Sequence, residues 1–141
     1  MSKKVIQNAI FVIVAGLAIY GYVLDNPVSS TGESNGTNAD AILARAFEQK
    51  QSDLQVMGSG TVQRNLRDDN SGSRHQLFIL ALDSGQTVLI SHNIDLAPRI
   101  NALRAGDRIE FFGEYEWNSN GGVVHWTHHD PGGRHPDGWL K

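Results

Sequence analysis

The residues best suited to chemistry are gathered in one stretch of the chain, from Asp107 to Trp139. It holds four of the six histidines, all three tryptophans and six of the fifteen glycines of this 141-residue protein. Imidazole binds zinc, copper and nickel well, and a carboxylate can complete such a site. The stretch therefore predicts a site for a divalent transition-metal ion such as zinc, although its spacing fits no standard zinc motif. The candidate metal ligands are His125, His128, His129, Asp130 and His135.

Strand geometry limits which of these ligands can share one ion. His125 and His129 lie on the same face of an extended strand but about 13 Å apart, at ~3.3 Å per residue, so both can bind one ion only if the strand ends between them. Pro131 favours such a break, and His125, a loop histidine and Asp130 then form the natural trio. The alternative is structural, with these side chains bonding to loop carbonyls and packing beside the tryptophans.

A second set of polar residues could bind a ligand other than a metal. The segment from His92 to Asp95 lies where a strand is expected to end and a helix to begin. Asp95 would alternatively cap that helix by accepting its first amide hydrogens. His92 is in phase with apolar residues, so it is either a buried, hydrogen-bonded histidine or part of a site. The candidate ligand-binding residues are His75, His92, Asp95, Arg99, Glu114 and Trp139.

A hairpin must position the histidines. From Arg108 to Asn118, apolar residues alternate with mostly acidic ones, the pattern of a strand with one buried face. The next residues, Ser-Asn-Gly-Gly, predict a tight turn because Asn and Gly tolerate positive φ. A second strand then runs to about Thr127, and the proline- and glycine-rich segment after it forms a loop.

The polar face of the first hairpin strand carries three glutamates, Glu110, Glu114 and Glu116. Like charges on one face repel unless arginines or a cation compensate them. A solvated face balanced by arginines is the alternative to a binding role. The arginines available for that compensation are Arg64, Arg74, Arg99 and Arg108.

Three further strand patterns precede the hairpin, at residues 54–66, 75–82 and 87–92. Residues 95–104 predict a short helix between the third and fourth strands. Three strands, a short helix and two strands follow the order of a five-stranded Greek-key barrel of the oligonucleotide/oligosaccharide-binding (OB) kind. The sequence thus predicts a mainly β, OB-like barrel domain over residues 54–141, ending in a histidine-rich arm.

A second, amphipathic helix is predicted before the barrel, over residues 39–53. Asn38 would cap it, and Asp40 lies favourably in its first turn. Residues 25–38 are small and polar and lack periodicity, so they predict a flexible linker. The apolar stripe of the helix consists of Ile42, Leu43, Ala46 and Phe47.

The N-terminal segment predicts export. Residues 5–24 carry no charge and follow Lys3 and Lys4, and about 20 apolar residues span a bilayer. Residues 1–24 are therefore predicted to be a single-pass anchor in the bacterial inner membrane, with a cytoplasmic N-terminus and a periplasmic C-terminal domain. A cleaved signal peptide is the alternative, disfavoured because the apolar run exceeds the usual core of roughly 7–15 residues.

Composition excludes several classes of function. The formal net charge is −3, so no basic surface indicates nucleic acid or anionic lipid as a partner. The absence of cysteine excludes disulfides, thiolate metal sites and a cysteine nucleophile. The sequence also lacks a glycine-rich phosphate loop, a Gly-x-Ser-x-Gly elbow and an HExxH motif, which argues against nucleotide hydrolysis and serine nucleophile chemistry.

Four segments of the chain resemble a known family. They are HQLFILAL, LISHNIDLAPRI, GDRIEFFGEYEWN and GGVVHWTHHDPGGRHPDGWL, spread over roughly residues 58–140. With the signatures HNIDLAP and HWTH-DP-G-H-GW, the chain is similar to the small exported bacterial proteins called domain of unknown function 3465. The resemblance implies an envelope protein with an N-terminal export segment, and it implies no particular activity.

Two hypotheses from different classes follow. In the first, the protein is a membrane-anchored binding module whose His/Asp/Arg-rich site holds a metal ion or an anionic ligand. In the second, it is a metal-assisted hydrolase of phosphodiesters, by analogy with small barrels that host nuclease sites. The hydrolase requires six residues to converge on one pocket: His92, Asp95, Arg99, Glu114, His125 and His129.

Overall fold

The computed structural model describes residues 34–141. The membrane anchor predicted over residues 5–24 lies outside them, and within them no helix has the length and apolar character that a membrane span requires. The elements of this part of the chain are α1 (Ser34–Glu48), β1 (Leu54–Asn65), β2 (His75–Ala81), β3 (Thr87–Asn93), β4 (Arg108–Glu116), β5 (Val123–His125) and β6 (Trp139–Leu140).

Five of the strands close into a barrel. Their order is β1-β2-β3-β5-β4, and an additional pairing between β1 and β4 completes the circle. The β3–β5 pair is parallel, whereas the other pairs are antiparallel. The predicted mainly β, five-stranded barrel is therefore confirmed. The two-residue strand β6, which pairs with β4, was not predicted because so short a segment carries no periodicity.

The barrel is filled by the inward-facing parity of each strand. On β4 the buried residues are Ile109, Phe111 and Tyr115, in the alternation that the sequence predicts. Gly58 on β1 lies opposite Phe111, and a Cβ there would come within 2.8 Å of that ring. The glycine thus leaves room for the aromatic ring in the core.

The helix α1 begins earlier than the sequence indicates. It starts at Ser34 rather than Ala39, so Asn38 lies inside the helix and is not its cap. The residues assigned to a flexible linker therefore overlap the first turn of α1. The helix ends at Glu48, a few residues before the predicted end.

The buried stripe of α1 is also rotated from the predicted one. Ala39, Leu43 and Ala46 are buried in the core, whereas Ile42 is 43% exposed. Positions 39, 43 and 46 follow the spacing of one helix face, and Ile42 lies outside it. The carboxylate of Asp40 helps to set this rotation by accepting a backbone N–H of the β2–β3 turn at 2.7 Å.

The short helix predicted over residues 95–104 is wrong, because the connection between β3 and β4 consists of turns and irregular backbone. Barrel side chains bind backbone groups of this connection. Gln76, which is buried, accepts the N–H of Ile100 and donates to its carbonyl, both at 2.9 Å. Asn65 donates to the carbonyl of Leu103 at 2.8 Å. Tertiary hydrogen bonds thus replace local ones.

Candidate metal site

The β4–β5 hairpin brings a histidine and two glutamates together on the outside of the barrel. Glu114 lies directly opposite His125 in the register, so both side chains leave the sheet on one face, and Glu116 follows on that face of β4. The Nε2 atom of His125 is 3.4 Å from an oxygen of Glu114 and 3.8 Å from one of Glu116. One potential ligand atom from each residue lies within 4.8 Å of the others. We call these three residues the Glu114 cluster.

His125 presents a nitrogen that the protein leaves unpartnered. Its Nε2 atom is buried and forms no hydrogen bond, since neither glutamate contact has hydrogen-bond geometry. Within residues 34–141, the amide Nε2 of Gln55 is the one other buried side-chain nitrogen or oxygen without a hydrogen-bond partner. Gln55 lies opposite Glu114 across the β1–β4 pair. The two unpartnered nitrogens thus flank Glu114 in one cross-strand row.

The second oxygen of Glu114 is held by a histidine from the loop. His135 Nε2 lies 2.5 Å from that oxygen, and His135 Nδ1 lies 2.9 Å from the carbonyl of Pro136. Carboxylate and carbonyl oxygens only accept hydrogen bonds, so a protonated imidazole, which donates from both ring nitrogens, would satisfy both contacts. Burial by itself would lower the pKa of His135, but the hydrogen bonds to Glu114 and Pro136 and the nearby carboxylates outweigh it and raise that pKa above its ordinary value.

Trp126 positions His135 by stacking. The two rings are 4.2 Å apart and nearly parallel, at 9°. Trp126 follows the last residue of β5 and has a φ of 53°, a left-handed conformation that is rare for an aromatic residue. This turn ends the strand and starts residues 126–138, which we call the arm.

Asp130 organises the arm. Its carboxylate accepts the backbone N–H groups of Gly132, Arg134 and His135, at 2.7 to 2.9 Å. These hydrogen bonds, with the charge of Arg134, hold the pKa of Asp130 below its ordinary value. The predicted metal ligand Asp130 therefore serves as the acceptor that shapes the loop carrying His135.

The other two arm histidines also bond within the arm. His128 is buried and donates from Nδ1 to the carbonyl of His129 at 2.7 Å. His129 is exposed, and its Nδ1 lies 2.8 Å from the carboxylate of Asp137. Neither belongs to the Glu114 cluster. Of the predicted metal ligands, His125 belongs to the Glu114 cluster, and His135 contacts the cluster through Glu114.

His92 is a buried histidine whose hydrogen bonds are satisfied. It is 4% exposed, and its Nε2 donates to the carbonyl of Pro98 at 3.2 Å. Its Nδ1 lies 2.9 Å from the hydroxyl of Thr127, which donates to it when the ring is neutral. Burial lowers the pKa of His92, and the positive charge of a protonated His128 would lower it further, against the opposing effect of the Pro98 hydrogen bond.

The remaining predicted ligand-binding residues lie in separate local contacts. Asp95 accepts the backbone and side-chain N–H groups of Arg74, which hold the pKa of Asp95 below its ordinary value. His75 bonds through Nδ1 to the carbonyl of Ser73 at 2.8 Å. The six residues required by the hydrolase hypothesis thus do not share one set of contacts.

Three of the four arginines that could compensate the glutamates of β4 pair with aspartates. Histidines contact two of the three glutamates, Glu114 and Glu116. The arginine–aspartate pairs are Arg74–Asp95, Arg99–Asp68 and Arg108–Asp83, with separations of 2.7, 3.0 and 2.6 Å.

An apolar row borders the Glu114 cluster. Phe112 on β4 lies opposite Met57 on β1 and Trp139 on β6, so the three side chains share the outer face. The rings of Phe112 and Trp139 are 6.3 Å apart. The ammonium of Lys141 lies 4.4 Å from the centre of the Trp139 ring. Trp139 is half-buried and lies at the end of this row.

Sequence reasoning named Glu116 only as one of three like charges on β4 that arginines or a cation must compensate, and it did not name Gln55. The hairpin register could have found Glu116, because the predicted turn places Glu114 opposite His125 and Glu116 two residues along. Gln55 gives no such signal, since its neighbourhood depends on β1 pairing with β4 across more than fifty residues.

A sequence model of one protein family, described as "Protein of unknown function (DUF3465)", matches residues 27–141. Comparison with curated proteins finds no match.

Proposed function

The chain belongs to the DUF3465 family, and we propose that it is a binding module that holds a divalent transition-metal ion in the Glu114 cluster. One observation carries this proposal. The buried Nε2 of His125 has no hydrogen-bond partner and lies within 4 Å of two carboxylates. A neutral imidazole nitrogen in that position offers a lone pair where a cation would also meet two negative charges.

The separations of the ligand atoms suit such an ion. Ligands at 2.0–2.2 Å from a tetrahedral ion lie about 3.3–3.6 Å from one another, and the two imidazole–carboxylate separations are 3.4 and 3.8 Å. Small side-chain rotations would complete the geometry. One imidazole with two carboxylates is a donor set for borderline metals such as zinc.

The contact between His135 and Glu114 supports the site from outside. A metal-binding carboxylate is commonly oriented by a second hydrogen-bonded residue, and His135 contacts the oxygen of Glu114 other than the one nearest His125. His135, fixed by Trp126 and by the loop around Asp130, would therefore position Glu114 for the ion.

The competing explanation is a pure ion pair, in which His125 is protonated and lies between the two glutamates. Metal binding separates the two explanations. Isothermal titration calorimetry of the full-length protein with zinc or cobalt at neutral pH should show one site. His125→Ala and Glu116→Gln should each weaken it about tenfold or more, which is about 1.4 kcal/mol.

His129→Ala is the matched control, because His129 is an exposed histidine that pairs with Asp137 outside the cluster. It should leave the metal affinity within about twofold of wild type. Calorimetry without metal binding, or equal losses in the His125 and His129 variants, would refute the proposed site.

We extend the proposal to architecture and location. The strand order β1-β2-β3-β5-β4 with a parallel β3–β5 pair supports an OB-like Greek-key barrel. The charge-free segment over residues 5–24 supports a single-pass inner-membrane anchor with the barrel in the periplasm. A reporter active only outside the cytoplasm, fused after Lys141, should be active, and high salt should not extract the protein. Recovery of a shortened mature chain in the soluble fraction would refute the anchor.

The proposal is limited to binding. A hydrolase needs acid, base and metal groups around one reacting atom. Here Asp95, Arg99 and His92 form contacts separate from the Glu114 cluster, so no observation favours phosphodiester hydrolysis.

A further inference from the structure

The amide of Gln55 needs an acceptor that the protein does not supply. Its Nε2 is buried without a hydrogen-bond partner, and leaving a buried donor unpaired costs free energy. An amide nitrogen donates two hydrogens and does not bind a metal. Because Gln55 lies directly opposite Glu114, an acceptor bound at the Glu114 cluster would be within its reach.

The proposed metal ion provides a place for that acceptor. The cluster supplies three ligands, and an ion with three protein ligands keeps a coordination position for an exogenous one. A carboxylate suits this position, since one oxygen can bind the ion while the other accepts from Gln55. The metal and the amide would then hold the two oxygens of one anion.

The neighbouring row offers a surface for the rest of the ligand. Met57 and Phe112 lie two residues from Gln55 and Glu114 on β1 and β4, or about 7 Å at ~3.4 Å per residue, and Trp139 pairs with Phe112 from β6. Met57 is 53% exposed, so this row is open at its β1 end. At the other end the ammonium of Lys141 adds a positive charge that favours an anion.

We propose that the metal-loaded protein binds a carboxylate carried on an apolar or aromatic body. Its carboxylate bridges the ion and the Gln55 amide, and its body packs on Met57, Phe112 and Trp139. This inference rests on the proposed metal site and names the class of ligand that the site takes.

The test uses full-length protein loaded with cobalt, whose visible absorption changes when a ligand enters its coordination shell. Benzoate and acetate are the probes, because they share the carboxylate and differ in the apolar body. Benzoate should bind about tenfold more tightly than acetate, and neither should bind metal-free protein. Met57→Ala should reduce this preference for benzoate, since it removes an exposed part of the apolar row.

Gln55→Leu is the decisive variant. It should weaken benzoate binding about tenfold while leaving cobalt affinity within about twofold of wild type. Gln63→Leu is the matched control, because Gln63 is an exposed glutamine on the same strand, and it should behave as wild type.

The outcomes separate this inference from the proposed function. Absence of cobalt binding would overturn both. Normal cobalt binding with no spectral response to benzoate, or with equal affinity for benzoate and acetate, would overturn the ligand class alone. If Gln55→Leu weakened cobalt and benzoate binding equally, Gln55 would be a residue that positions Glu114, and its role in holding the ligand would be refuted.

Discussion

Truncation to alanine at two adjacent residues of α1 should lower the free energy of unfolding by very different amounts. Leu43 has no exposed surface and belongs to the main core cluster, whereas its neighbour Ile42 is 43% exposed. Leu43→Ala removes three buried carbons, worth about 2.4 kcal/mol at ~0.8 kcal/mol each. The cavity left behind adds to that loss, so the free energy of unfolding should fall by about 2.5–5 kcal/mol.

Ile42→Ala should cost less than about 1 kcal/mol, because part of the side chain already contacts water and alanine favours the helix. Both variants replace an aliphatic side chain with the same residue in one helical turn, so helix propensity cannot explain a large difference. The comparison therefore measures the packing of α1 on the barrel.

Urea unfolding followed by circular dichroism would measure both changes. For a domain of about 100 residues, each 1 kcal/mol corresponds to roughly 4–8 °C in Tm, so Leu43→Ala should lower Tm by at least about 10 °C. The urea dependence should keep its slope if the variant only loses stability. Equal effects of the two variants, or a loss below about 1 kcal/mol for Leu43→Ala, would refute the packing of α1 described here.

Further predictions concern pH, the hairpin, the arm and the domain boundary. Burial lowers the pKa of His92, so its stabilising contribution is present above the unfolded pKa of about 6.5 and is lost as pH falls toward the folded pKa. The urea concentration at the unfolding midpoint should therefore decrease less between about pH 7 and pH 5 in His92→Gln than in the wild type. Gly113→Ala should destabilise the barrel, because a Cβ there collides with the carbonyl of His125, and thermal unfolding would measure the loss. Asp130→Ala should loosen the arm, since three backbone N–H groups lose their acceptor; a change in tryptophan fluorescence with an unchanged far-ultraviolet spectrum would verify this. A fragment of residues 33–141 should fold alone as a mostly β domain, and a circular dichroism spectrum dominated by helix would contradict the barrel.

Local patterns in the sequence were sufficient for the strands of the barrel. The period-two alternation of β4 predicted which of its residues are buried, and the Asn/Gly turn after it predicted the hairpin. These predictions hold because a strand face and a tight turn depend on residues only a few positions apart. The pairing of Glu114 with His125 was not predicted, although a short turn sets the register of both strands.

Other features were decided by contacts between distant parts of the chain. The apolar residues Ile42 and Leu43 looked alike in the sequence, and only the packing of α1 on the barrel buried one and exposed the other. The pattern over residues 95–104 predicted a helix. In the structure, the side chains of Gln76 and Asn65 form hydrogen bonds with backbone groups of this segment. Tertiary hydrogen bonds can override a weak local propensity.

The same division applies to the site. The sequence determined which side chains could bind a metal, because residue types define the donor atoms, and it located them on one hairpin and its arm. The tertiary structure decided which contacts the polar side chains make. Asp130 accepts hydrogen bonds from the backbone of the arm, His92 bonds to Thr127 and Pro98 in the interior, and Gln55 on β1 lies opposite Glu114. These contacts depend on the closure of the barrel, which pairs strands that are far apart in the chain. Local sequence patterns therefore do not predict them.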